Sequence, residues 1–421
     1  MTVTAKPGLE RGHAAFGEFR QCLAEETVRA FPQFVSLWGK WNPEDLIPFL
    51  SDFDSRLVCR APMRPEDWVE LDRVSGEIHL AMLKAHPDWA RILEHTPGVC
   101  ATEEEMLDDR TFHPETQQWS AYSDCGEFCR RLQGFYEGGV WGNRHEVYFL
   151  RRFLYYYGPY QHGIDPPINL GAYEYKYALH SRLWHYFVPA LQAALALVNR
   201  RAIRGKFETL HGWLQHFPSH PILLRALEIV GNHYESAELT DASALARLEA
   251  DLFAFLQKVM RMVRERVTLI EMSDSMDSGA YKELVAGICP VPLMTIYDGV
   301  RFSRIRKGRY YFYLNSPAFF DAGRLIASET KWLKGYFTAP IFKAYAQLRW
   351  SQPALTLGEI LHELRHGLID ARDEQLIRRV FSLSLDGHGG HERDIIAQIA
   401  EVYAEYHLIL ERILADGLAR A

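Results

Sequence analysis

The sequence predicts an α+β protein in which a small mixed β-sheet precedes a helical bundle and a mainly helical C-terminal domain. The beginning of the chain has the order strand, loop, strand, helix, strand, which is typical of a small sheet flanked by helices. Residues 172–264 carry apolar side chains at helical spacing, and most of residues 341–421 does so as well. The expected domains are residues 1–160, 161–265 and 266–421.

The elements of the first domain follow from the spacing of apolar side chains and from proline positions. Residues 13–31 have the pattern of an amphipathic helix, and an apolar strand after it ends at Gly39. A polar loop leads to a second strand that reaches Val58. Pro65 suits the first position of the next helix, because proline fits helical φ angles and lacks an N–H group. The short run at residues 89–96 is interpreted as the third strand.

The C-terminal domain contains one segment with strand-like composition. Residues 291–314 include many aromatic and β-branched side chains, and Lys307-Gly308 lies in their middle. Glycine beside a polar residue is typical of tight turns, so we expect a β-hairpin here. The boundary between the first and second domains is expected near residues 158–167.

Composition restricts the function classes. The chain has a net charge of −7 and a pI near 6.2, so we expect no extensive nucleic-acid binding. Residues 1–10 lack the apolar core of a signal peptide, and the longest apolar stretch, residues 186–198, is too short to cross a bilayer. Of the cysteines, Cys125 and Cys129 are spaced as on a helix and form no Cys-x-x-Cys motif. Reduced thiols, a cytoplasmic location and no membrane partner are expected, and a homo-oligomer stays open.

The most informative motif links the first two strands. The run Val35–Lys40 is followed by eleven residues of loop and then by Asp52-Phe-Asp54. Side chains two apart on a strand share a face and lie roughly 7 Å apart. Two carboxylates on one face can hold divalent metal ions, which in turn can hold phosphates. The motif therefore indicates a metal centre that takes a phosphorylated substrate.

This pattern resembles the nucleotidyltransferase superfamily of DNA polymerase β and the antibiotic-adenylylating enzymes. The resemblance covers about the first 265 residues and is sharpest between Gly39 and Val58. It implies Mg²⁺, an NTP that we expect to be ATP, and transfer of a nucleoside monophosphate to a small-molecule acceptor. Asp52 and Asp54 would hold the metal, while Gly39 and Ser51 would contact the nucleotide.

The resemblance also implies further site residues. The family normally has a third carboxylate on a neighbouring strand, and Glu94 is the candidate, ahead of Glu77 and of acids in residues 103–115. Lys40 stands where the family usually has serine, and it would contact phosphate as a point charge. His95 is expected to point away from the site, on the opposite face of the strand that holds Glu94.

Lys206 belongs to a segment that is similar to a Gly/Ser-Lys segment in the helical domain of that family, where the lysine faces the nucleotide phosphates. The alternative for Lys206 is a basic helix end that interacts with its own C-terminal dipole.

Other interpretations stay open. Asp52-Phe-Asp54 could be an exposed turn that enters an edge strand, or the fold could be a degenerate nucleotidyltransferase that serves as a binding scaffold. His362-Glu363-Leu-Arg-His366 matches H-E-x-x-H, which on a helix brings two imidazoles to one zinc ion with Glu363 as general base. A zinc hydrolase is therefore an alternative function. Its third ligand would come from His388, His391 or Glu392; the simpler alternative is an amphipathic helix.

Overall fold

A computed structural model describes most of the chain as an α+β fold. The described residues are 7–40, 42–46, 51–90, 92–162, 187–236, 242–267, 277–288, 291–316, 326, 329–330, 333, 337–351, 355–385 and 391–421. Within them the α+β class is confirmed: one small mixed sheet is surrounded by helices. The expected boundary at residues 158–167 lies partly outside the described residues.

Four short strands form the sheet found in the described residues. They are β1 (Phe34–Gly39), β2 (Ser55–Cys59), β3 (Val99–Thr102) and β4 (Ser120–Ala121), and their order in the sheet is β3-β2-β1-β4. β1 is antiparallel to both β2 and β4, whereas β2 is parallel to β3. In the β1–β2 pair, Gly39 lies opposite Ser55. The residues after β1 and before β2 are therefore neighbours in space.

Helices make up most of the remaining structure. In the first region they are α1 (Pro7–Ala30), α2 (Pro65–Ala85), α3 (Glu103–Leu107), α4 (Gly126–Gly138) and α5 (Asn143–His162). Short 3₁₀ helices occupy Pro43–Asp45, Pro87–Trp89 and Pro114–Gln118. The middle region contains α6 (Val188–Asn199), α7 (Lys206–His216), α8 (Pro221–Ser236) and α9 (Ala242–Arg266).

In the C-terminal region, all the regular elements of the described residues are helices. Its helices are α10 (Ser278–Gly287), α11 (Pro292–Ser303), α12 (Arg306–Asn315), α13 (Ala339–Trp350), α14 (Leu357–Leu364), α15 (Ala371–Leu385) and α16 (Glu392–Arg420). The predicted hairpin around Lys307-Gly308 is wrong, because this dipeptide lies in the first turn of α12. The carboxylate of Asp72 on α2 accepts hydrogen bonds from both main-chain N–H groups, at 2.9 and 2.7 Å, and so caps α12.

The predicted strand at residues 89–96 is also wrong. Trp89 ends a 3₁₀ helix, and residues 92–96 form buried turns. The third strand begins at Val99 instead, directly after Pro97 and Gly98. Pro97 lacks an N–H group for a sheet, whereas the four small residues Val99–Thr102 pair in parallel with β2.

The sheet has an apolar layer on each face. Leu57 and Cys59 of β2 belong to a large core shared with α1, α2 and helices of the C-terminal region. Val58, between them, belongs to a smaller core with Trp38 and Trp119 on the other face. This alternation follows from the two-residue period of a strand. A third core contains side chains of α5–α10.

A buried ion-pair network joins the C-terminal helix to the sheet region. The Arg304 guanidinium donates at 2.7 Å to both carboxylate oxygens of Glu105 on α3 and to Glu411 on α16. It also stacks over the Trp68 ring, with 4.0 Å between Cζ and the ring centroid. Arg304 therefore fixes α16 against α2 and α3.

Cys125 and Cys129 form a disulfide at the start of α4, so the expectation of reduced thiols throughout is wrong for this pair. Cys22, Cys59 and Cys100 are free. Among the helices of the described residues, none has the length and apolar content needed to cross a membrane.

Candidate metal centre

Asp52 and Asp54 lie just before β2, next to the end of β1. The main-chain N–H of Lys40, the residue after β1, donates to the carbonyl of Asp54 at 3.1 Å. Phe53 is buried, while the side chains of Asp52 and Asp54 keep 21% and 25% of their surface exposed. The two carboxylates therefore lie together at the ends of the two central strands, where a ligand can reach them from solvent.

His95 is the side chain that joins the two carboxylates. Its Nε2 atom lies 2.9 Å from Asp52 Oδ2 and 3.4 Å from Asp54 Oδ1. Its Nδ1 atom lies 2.9 Å from the carbonyl oxygen of Thr96. The expectation that His95 points away is wrong, because its segment is a turn rather than a strand.

The charges at this centre are strongly coupled. Burial and Arg309 lower the pKa of His95, but hydrogen bonds to Asp52 and Asp54 outweigh them and raise it to about 9. Burial raises the pKa of Asp54, yet Lys40 and His95 hold it well below its usual range. Without a metal ion, His95 is thus held between the two aspartates through its Nε2 atom.

Two basic side chains flank Asp54. The Nζ atom of Lys40 lies 3.8 Å from Asp54 Oδ2, and Arg56 lies 4.0 Å from Oδ1. Arg56 is buried and also approaches Glu115 at 3.6 Å, while Arg301 binds Glu115 at 2.7 Å. Glu115 is thus held in ion pairs behind the centre.

A second cluster, formed by His113, Glu115 and Asp298, also groups three metal-ligating side chains within 4.8 Å. However, His113 Nδ1 accepts from the main-chain N–H of Glu115 at 3.2 Å, and Arg301 lies at the same distance from that nitrogen. Burial and the Arg301 charge lower the pKa of His113 to about 4, so this ring is neutral. The adjacent guanidinium repels cations, and we interpret this cluster as a structural ion-pair network.

Lys206 reaches the same region from the helical part of the chain. It is the first residue of α7, so the alternative that it interacts with the C-terminal dipole of its own helix is wrong. Its Nζ atom donates to the carbonyl of Asp45 at 2.9 Å, and Asp45 Oδ1 caps α7 by accepting from the N–H groups of Lys206 and Phe207. Burial lowers the pKa of Lys206, while Asp45 and Asp52 act in the opposite direction. The charge of Lys206 thus interacts with that of Asp52.

We expect Gly205→Ala to destabilise the protein by about 1–3 kcal/mol, as overpacking commonly does. Gly205 has φ +76°, and a Cβ atom there would lie 1.7 Å from Asp45 Oδ2. The midpoint of urea unfolding measures the change. Gly134→Ala is the matched control, because a Cβ at this helical position meets nothing within 4 Å. Equal stability of the two variants would contradict the tight contact between Asp45 and Gly205.

The remaining sequence candidates lie in different surroundings. A Cβ on Gly39 would come within 2.0 Å of the Tyr122 ring, so packing already requires this glycine. Glu94 is buried in a turn and is absent from the three-residue group of Asp52, Asp54 and His95. Glu77 is on α2, where it pairs with Arg73 at 2.6 Å. Ser51 is half-buried immediately before Asp52.

The H-E-x-x-H motif does not form a three-ligand cluster within the described residues. α14 ends at Leu364, so His362 and Glu363 are helical and His366 is not. Both histidines are exposed, and their ring centroids are 5.3 Å apart. His391 lies 3.9 Å from Asp394, and His388 lies outside the described residues.

No protein-family model, curated protein or solved structure matches this chain. Its function is therefore inferred from the side chains grouped around Asp52, Asp54 and His95.

Proposed function

We propose that this chain is a metal-dependent nucleotidyltransferase that moves a nucleoside monophosphate from an NTP, ATP in the first instance, to a small-molecule acceptor. One observation carries the proposal: the β1–β2 connection brings Lys40 within 3.8 Å of Asp54, and both aspartates within hydrogen-bonding range of His95. The group is partly exposed, combines carboxylates and an imidazole with cationic side chains, and lies at the ends of the central strands of a mixed sheet. Pyrophosphate would be the leaving group.

The donor set fits a divalent metal ion. Two carboxylates and an imidazole offer ligand atoms that all lie within 4.8 Å of one another. When bound, such an ion would neutralise negative charge on the NTP phosphates. Asp52 and Asp54 would hold it, as the sequence motif predicts. Glu94 remains the sequence-based candidate for a third carboxylate, but we assign it no ligand role because it is buried outside this group.

The chain's own cations would orient the triphosphate. Lys40 is a quarter exposed, which leaves its ammonium able to turn from Asp54 toward a phosphate. Lys206 is buried and fixed against Asp45, so it would supply a stationary positive charge. Phosphoryl-type transfer depends mainly on positioning and charge neutralisation, which these groups provide.

The proposal also divides the chain into three domains. Residues 1–160 would be the catalytic domain, residues 161–265 would contribute Lys206 from a helical bundle, and residues 266–421 would form the C-terminal domain. Arg304 and Glu411 would hold the C-terminal domain against the catalytic one through Glu105.

The direct test is incubation of the protein with each NTP, a divalent metal and a mixture of small-molecule hydroxyl and amine acceptors, followed by measurement of pyrophosphate release and of thermal unfolding. A ligand that binds only the folded state raises the unfolding temperature, so we expect a shift that needs nucleotide and metal together. If no NTP gave either a shift in unfolding temperature or pyrophosphate release, the proposal would be overturned.

Lys40→Gln is expected to change the affinity for nucleotide and the affinity for the metal ion in opposite directions. Nucleotide affinity should fall about tenfold, because a charge-assisted contact to phosphate is lost. Affinity for the metal ion alone should rise severalfold, because one positive charge beside Asp54 is removed. Calorimetric titrations of metal, and of nucleotide with metal present, measure both constants.

The matched control for Lys40→Gln is Lys84→Gln, at an exposed position in the last turn of α2. It should change neither constant. If Lys40→Gln tightened metal binding without weakening nucleotide binding, Lys40 would be a counter-ion of Asp54 only.

The second candidate function is a binding scaffold with a degenerate nucleotidyltransferase fold. The ion pairs of Lys40 and His95 with the aspartates favour it, because they satisfy the carboxylates without any substrate. A scaffold would bind nucleotide without releasing pyrophosphate, which the same assay detects.

A further inference from the structure

The position of His95 indicates which metal ion the site would prefer. This inference rests on the proposed function. The His95 side chain is more than nine-tenths buried and points into the gap between Asp52 and Asp54. For metal–ligand distances of about 2.1 Å, neighbouring ligand atoms lie about 3.0–3.4 Å apart. The distances of 2.9 and 3.4 Å from Nε2 to the two carboxylates match such a coordination edge.

The other ring nitrogen fixes the orientation of the imidazole. A carbonyl oxygen accepts hydrogen bonds only, so the 2.9 Å contact with Thr96 requires the proton to be on Nδ1. With Nδ1 donating to Thr96, Nε2 is the ring atom that faces the two carboxylates, so a metal ion bound there would meet all three ligand atoms. Histidines that bind metals usually donate their second N–H to a carbonyl or carboxylate in this way.

We propose that Asp52, Asp54 and His95 form a two-carboxylate, one-imidazole site that binds a first-row transition-metal dication in preference to Mg²⁺. Imidazole is a common ligand of transition metals, whereas Mg²⁺ favours oxygen ligands and keeps much of its water. A third carboxylate would serve Mg²⁺ better than His95 does. The part-exposed carboxylates leave one side of the site open for oxygens of a substrate.

Mn²⁺ and Mg²⁺ alone, added to the full chain, are the probes. Among the first-row divalent metals, Mn²⁺ binds most weakly to sites that combine nitrogen and oxygen ligands. A preference for Mn²⁺ over Mg²⁺ is therefore a stringent test. We expect Mn²⁺ to bind at least about tenfold more tightly than Mg²⁺ in calorimetric titrations. Pulsed electron paramagnetic resonance of bound Mn²⁺ should show coupling to one histidine nitrogen. No stoichiometric Mn²⁺ binding, or bound Mn²⁺ without nitrogen coupling, would overturn the proposal without requiring any variant to fold.

Variants separate His95 from general metal binding. His95→Gln should lose the nitrogen coupling and about tenfold or more in Mn²⁺ affinity, as loss of a metal partner commonly does. His95→Asp should reverse the preference toward Mg²⁺, because it creates a three-carboxylate set. The matched control is His113→Gln, in the second three-residue cluster, and it should leave Mn²⁺ affinity and the nitrogen coupling unchanged. Unchanged Mn²⁺ binding in folded His95→Gln would overturn the assignment.

The outcomes also distinguish this inference from the proposed function. Mn²⁺ bound through His95 with no response to any NTP would support the site and refute the nucleotidyltransferase. Pyrophosphate release that runs equally well with Mg²⁺ in wild type and in His95→Gln would support the enzyme and refute the role of His95.

Discussion

Asp54→Asn is expected to reduce metal-dependent pyrophosphate release by at least about a hundredfold while the protein stays folded. The carboxylate is one of two that would hold the metal, and the amide keeps the side-chain size but loses the charge. Asp52→Asn should act in the same way, because its Oδ2 atom shares His95 with Asp54. The rate of pyrophosphate release and the Mn²⁺ stoichiometry are measured together.

Asp298→Asn is the matched control for the aspartate variants, since Asp298 belongs to the other three-residue cluster. Its neighbour Arg301 already neutralises it, at 2.7 Å, so metal stoichiometry should not change. Full activity of purified Asp54→Asn would remove Asp54 from the proposed chemistry, and full activity of Asp52→Asn would remove Asp52, whatever the control shows.

Arg304→Met is expected to destabilise the protein by about 3–5 kcal/mol, the usual cost of removing one partner from a buried ion pair. The change keeps an unbranched side chain but leaves Glu105 and Glu411 without their shared guanidinium. It also removes the cation stacked on Trp68. The midpoint of urea unfolding, with its slope, measures the change in free energy.

Arg372→Met is the matched control, because Arg372 pairs with Glu405 at 2.7 Å but both side chains are exposed. Surface pairs contribute about 0–1 kcal/mol, so its stability should hardly change. If the two variants lost equal stability, burial would not be the reason for the effect of Arg304.

The contribution of the same ion pair to folding stability should depend on pH. Burial raises the pKa of Glu411, but Arg304 and His407 outweigh it and lower the pKa from 4.5 to about 2. A depressed carboxylate pKa stabilises the folded state above pH 4.5, and this contribution is lost as the pH falls toward 2. In Arg304→Met, Glu411 loses the charge that lowers its pKa most, so the stability difference from wild type should narrow in acid.

Local sequence signals identified several elements that the structure contains. Pro65 with its acidic neighbours predicts the start of α2, and the helix does begin there. The apolar run that ends at Gly39 is β1, and Leu57-Val58 lie in β2. These signals succeed because capping, proline geometry and side-chain alternation act between residues close in the chain.

Segments whose partners are distant in sequence were predicted incorrectly. Lys307-Gly308 looks like a turn, but Asp72 on α2 caps a helix there. Residues 89–96 are apolar enough for a strand, yet the strand begins only at Val99, after Pro97 and Gly98. Local composition permitted both conformations, and contacts across the fold selected one.

By itself, the sequence determined the α+β class and the pair of aspartates that follows the first strand. Only the tertiary structure placed His95 between those aspartates, kept Glu94 outside that group and brought Lys206 to Asp45. Spacing along the chain cannot predict such contacts, because 43 residues separate Asp52 from His95 and 161 separate Asp45 from Lys206. Packing of α7 and of the turn after α2 decides where these side chains meet, since side-chain direction in a turn has no fixed period.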